Sequence, residues 1–139
     1  MVALVLGAAI GIERERGRHP AGFRTMAMVS VGSCLFTLLG GLAFGSRIVD
    51  PTRIAAQVVT GVGFLGAGAI LRERGAVRGL TTAAAIWVVA AIGMAAGFGQ
   101  YVLAVGGTVI VLLALTALRV VRARFFPMDE EEEDERDRA

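Results

Sequence analysis

Along the chain, apolar and polar positions separate into five uncharged apolar runs, joined by short polar or arginine-bearing stretches. The runs cover about 1–12, 25–44, 54–71, 80–98 and 101–118. A helix rises 1.5 Å per residue, so the 18 residues of the third run reach about 27 Å, close to the roughly 30 Å of hydrocarbon in a bilayer. The pattern predicts an all-α membrane protein, a bundle of about five transmembrane helices over residues 1–124. Residues 125–139 end in MDEEEEDERDRA, almost purely charged, and read as a disordered acidic tail.

The first run is short. Its 12 residues make only about 18 Å of helix, so the N-terminal end of the span is missing from this start site, or the helix extends past Glu13, or the bilayer thins around it. No basic segment precedes it, and its small-x-small site, Gly7-Ala8-Ala9, comes too early for a signal peptide. Residues 13–24 read as a polar loop, with His19-Pro20 breaking any helix that runs through. Residues 72–79 read as a second tight loop.

The third run, IAAQVVTGVGFLGAGAIL, is crowded with glycine at Gly61, Gly63, Gly66 and Gly68. Gln57, Gly61 and Gly68 share one helical face and Gly63 and Gly66 lie roughly opposite, so this run is the expected central helix, approached closely from two sides. The same letters spell G-x-G-x-x-G at 61–66, but no acidic residue lies between Glu73 and Asp129 to hold a ribose, and another apolar run follows. Dinucleotide binding is set aside on that ground. Gly7 with Gly11, and Gly93 with Gly97, form further close-packing pairs, the latter the expected contact with a second copy or a partner protein. In the second run Ser30, Ser33, Cys34, Thr37 and Gly41 recur at helical spacing and predict a face turned to other helices. The second half of the fifth run, large and aliphatic, predicts a lipid-facing surface.

Composition agrees with a membrane class: 55% hydrophobic residues, 19 glycines and a mean hydropathy of +0.69. The formal charge of +2 hides an asymmetry, since 8 of the 12 acids follow Pro127 while 12 of the 14 arginines precede it. Ten arginines fall near the joints on one side of a five-span bundle and two, Arg47 and Arg53, on the other. The positive-inside rule then places the N-terminus outside and the C-terminus in the cytoplasm.

Candidate chemistry is sparse. A pathway for a hard metal cation needs oxygen ligands, chiefly carboxylates, yet no run contains an acid. The acids before the tail are Glu13, Glu15, Asp50 and Glu73, all at run ends beside arginines, where ion pairing or helix capping is the commoner role. Asp50 is the candidate metal ligand, and Gln57, Thr60, Thr81 and Thr82 are polar groups that with it could line a small hydrated entrance. Cys34 lies within a run and His19 stands beside arginines, so no nucleophile, base or metal-ligand constellation is present and the chain is not expected to be an enzyme.

Three separated motifs then resemble one family: G-I-E-R-E at 11–15 with G-F-R-T at 22–25, A-Q-V-V-T-G-V-G-F-L-G-A-G-A-I at 56–70, and V-R-G-L-T-T-A-A-A-I-W at 77–87. In order and spacing they are similar to the MgtC/SapB family of bacterial inner-membrane proteins, over roughly residues 1–124. Fuller members continue into a soluble C-terminal domain where this sequence has its acidic tail. The resemblance implies a multi-pass inner-membrane protein linked to magnesium homeostasis, either a transporter of magnesium or another cation or a regulator of other membrane proteins. Glu13, Arg14, Arg24, Asp50, Arg53 and Gln57 fall in or beside these motifs and are the candidate ion or partner contacts. The favoured expectation is packing against itself or another membrane protein through Gly61, Gly63, Gly66, Gly68, Gly93 and Gly97. No nucleic-acid partner is expected, and no cofactor beyond possible Mg2+.

Overall fold

The structure, a computed structural model, describes residues 1–42, 52–73 and 76–125. The five apolar runs are five helices: α1 (Val2–Arg16), α2 (Phe23–Leu42), α3 (Thr52–Gly68), α4 (Leu80–Gly97) and α5 (Tyr101–Phe125). Between α3 and α4 stands an antiparallel hairpin of β1 (Leu71–Glu73) and β2 (Ala76–Arg78). Phe23–Gly41, Leu80–Gly97 and Tyr101–Leu118 are each long and apolar enough to cross a membrane. The chain is therefore an all-α membrane protein. With 17 and 15 residues, α3 and α1 are shorter, about 26 and 22 Å long.

Glycine contacts set the helix directions. A Cβ added to Gly7 would lie 2.6 Å from the Ser30 Cβ and one on Gly11 2.6 Å from the Phe23 Cα, so α1 and α2 run antiparallel with their backbones nearly touching. A Cβ on Gly93 would collide with the Ser30 carbonyl, and one on Gly97 would lie 2.8 Å from the Cys34 carbonyl oxygen, so α2 and α4 run parallel. Gly66 faces Ala83 and Gly40 faces Ile54, which makes α3 antiparallel to both. The core between these helices is built from small and medium side chains, with Ile10, Met26, Val89 and Ala104 fully buried. On α5, Val102, Leu103, Ile110 and Leu113 are exposed, as a helix bordered by lipid requires.

Several details depart from the sequence reading. The central helix is α4, not α3: α4 packs against all four other helices, whereas α3 packs on α4 and to a lesser extent on α2. The loop expected over 13–24 begins only after Arg16, because α1 continues through its charged end and closes with Arg18 N–H donating to the Glu15 carbonyl and His19 N–H to that of Arg14. The loop expected over 72–79 contains the hairpin, in which Leu71 pairs with Arg78 and Arg72 with Val77. Gly79 joins it to α4 with φ +89, and a side chain there would strike the Ala69 carbonyl. The fifth helix runs beyond Leu118 to Phe125. Asp50 and the tail from 126 onward lie outside the described residues.

Candidate functional site

Two places in the fold have chemistry. The first is an apolar groove of about 430 Å³ between α2 and α3, lined by Met28, Val29, Gly32 and Phe36 from α2 and by Ile54, Val58, Gly61, Val62 and Leu65 from α3. Ser33 and Gln57 are its polar members. The groove opens on the outer surface, where Met28, Phe36, Phe64 and Leu65 are all at least half exposed. On α3, a Cβ at Gly61, Gly63 or Gly68 would meet nothing within 4 Å. A glycine inside a helix costs roughly 0.5–1 kcal/mol relative to alanine, and within one chain these three gain no close approach in return.

The second place is the junction of α1 with α4. Arg14, only 2% exposed, donates from a terminal guanidinium nitrogen to the Thr82 hydroxyl at 2.9 Å. The next residue, Glu15, accepts the Phe23 N–H at 2.7 Å, and so fixes the first turn of α2 against the last turn of α1. Arginine suits such a position because its five fixed donors can satisfy several acceptors at once. A charge buried among apolar helices is costly unless held this way, so the contact ties α1 to α4.

The structure distributes the sequence-predicted residues unevenly. Gly93 and Gly97 are used within the chain, their face filled by α2, which leaves no room for the intermolecular contact expected there. Gly66 makes ordinary contact with Ala83 at 3.6 Å. Glu13 is half-buried beside Arg14, Arg24 is exposed at the start of α2, and Arg53 is exposed at the start of α3. Gln57 and Thr82 do not share an entrance. Gln57 lies nine residues before Gly66, roughly 13 Å along α3, whereas Thr82 is next to the Ala83 that Gly66 faces. Thr60 donates to the Ala56 carbonyl at 3.1 Å on the exposed side of α3. Among the described residues no group of three or more His, Cys, Asp or Glu could hold a metal ion. Sequence reasoning missed Arg14 with Thr82 as a pair. The signal was present, since an arginine two residues past the end of an apolar run needs a buried acceptor if the helix continues.

The MgtC family profile matches residues 1–124. The chain is 47% identical over 121 residues to a putative magnesium transporter, YhiD, of Escherichia coli K12, covering 83% of this chain and 56% of that protein. It is 45% identical over 124 residues to protein MgtC of Salmonella typhimurium LT2, with 89% and 52% covered. An uncharacterised protein of Haemophilus influenzae is 46% identical over 123 residues, with 83% and 52% covered. The chain thus spans about half the length of the curated relatives it matches. No solved structure matches it.

Proposed function

The chain belongs to the MgtC family, and from that premise we propose that it serves magnesium homeostasis in the bacterial inner membrane by packing against a second copy of itself. The observation that carries this reading is the open groove between α2 and α3 with its uncovered glycines. Helices in lipid associate through close backbone approach, which glycine permits and larger residues prevent. Gly61 and Gly68 share the face of α3 that borders the groove, so a twofold axis across it would let two uncovered backbones approach each other. Gln57 at the rim supplies an amide able to bond its counterpart across that axis.

Passage of the cation is the second reading, favoured by the name of the Escherichia coli relative. One reconstitution separates the two. Liposomes that contain the purified chain and a magnesium-sensitive dye are expected to show no flux above empty liposomes, while fluorescence transfer between labelled copies reports self-association. Gly61→Leu is expected to weaken that association about tenfold, or about 1.4 kcal/mol, and a change at Ile110 on the outer side of α5 to leave it alone. Flux abolished by Asp50→Ala would establish transport instead. Association untouched by Gly61→Leu would remove the groove as the interface.

A further inference from the structure

Five exposed arginines gather at one end of the bundle. Arg16 and Arg18 close α1, Arg24 opens α2, and Arg72 and Arg78 lie on the hairpin. Contacts from Arg14 to Thr82, Glu15 to Phe23 and Gly79 to Ala69 bring these segments to the same level. Among them stand Phe23, Leu71, Val77 and Leu80, each 42–59% exposed. In the hairpin Leu71 stands opposite Arg78 and Arg72 opposite Val77, so each face carries one apolar side chain beside one guanidinium. That mixture at the end of spanning helices fits a bilayer interface, where apolar groups reach acyl chains and guanidinium groups reach phosphates.

The turn after α1 adds an independent observation. α1 and α4 end in the same motif, with two backbone N–H groups folding back onto the last turn: Arg18 and His19 in one, Gly99 and Gln100 in the other. The position that must turn left-handed is Gly99, φ +74, after α4, but Arg18, φ +52, after α1. A glycine precedes Arg18 directly, yet Gly17 keeps φ −82 and the arginine takes the disfavoured conformation. Glycine would adopt that conformation without steric cost, so the backbone gains nothing from arginine there.

We propose that this end of the bundle binds the phosphate headgroups of anionic lipids, with Arg18 as the principal contact and Arg24 and Arg72 beside it. Guanidinium groups engage phosphate oxygens in paired hydrogen bonds, and the neighbouring apolar side chains give a lipid an advantage over free phosphate.

Native mass spectrometry of the full chain in detergent, titrated with phosphatidylglycerol or phosphatidylcholine, tests this. Phosphatidylglycerol is expected to bind at least about tenfold more tightly, with roughly fivefold contributed by each engaged arginine. Arg18→Gly and Arg18→Asn, both suited to the left-handed position, are expected to lose about fivefold of that preference without lowering the melting temperature. Arg53→Gln, at the opposite end, is expected to change neither. Equal binding of the two lipids, a preference undiminished in both Arg18 variants, or displacement of the lipid by an equal concentration of inorganic phosphate would each overturn the proposal.

Discussion

Thr82 and Gly93 show how much of this bundle rests on single atoms. The Thr82 hydroxyl accepts from a guanidinium that is almost fully buried. Thr82→Val keeps the shape and removes the acceptor, so it is expected to lower stability by about 1–3 kcal/mol, while Thr82→Ser retains most of it. Thermal unfolding in detergent checks both. At Gly93 the neighbour is the Ser30 backbone carbonyl, which cannot rotate away as a side chain would. Gly93→Ala is therefore expected to cost about 2 kcal/mol or more, whereas Gly61→Ala, which meets open space, should be neutral or stabilising by about 0.5–1 kcal/mol in the isolated chain. Equal loss at the two positions would contradict the different surroundings of these glycines.

Helices and their approximate ends were legible in the apolar runs, because in lipid an uncharged run has little choice but to satisfy its own backbone. Predicted 25–44, 54–71 and 80–98 stand beside observed Phe23–Leu42, Thr52–Gly68 and Leu80–Gly97. What could not be read was which helix lies at the centre. Glycine density pointed to α3, but four glycines on one helix record where a neighbour could approach, not that one of this chain's helices does. Alanine-rich α4 gave a weaker signal in sequence and buries more of itself, since alanine packs closely without an evident motif. The end of α1 was hidden for a different reason. Charge at 13–16 reads as water-exposed until Arg14 finds an acceptor 68 residues away. The hairpin strands are three residues each, too short for any period to show. In the candidate site, Gln57 and Gly61 were legible from their shared helical face, but the groove beside them also needs Met28 and Phe36 from α2, and only the tertiary fold brings those together.

For the molecule as a whole, successive helices alternate in direction, so the α1–α2 turn and the hairpin share one end, the end toward which α5 also runs. Ten of the chain's arginines belong to these segments. A reporter fused after Ala123 is expected to lie in the cytoplasm, and a periplasmic signal would refute that orientation. The parallel packing of α2 on α4 also bears on how the protein is made. Ser30 and Gly93 touch, yet 62 residues separate them, so α2 enters the membrane beside α1 well before the second of its two main partners, α4, has been synthesised. Until α4 arrives, the surface of α2 around Cys34 and Thr37 has lipid or an insertase against it. A ribosome that stalls before Leu80 therefore leaves a half-built bundle with its seam open, the kind of intermediate that membrane quality-control proteases remove.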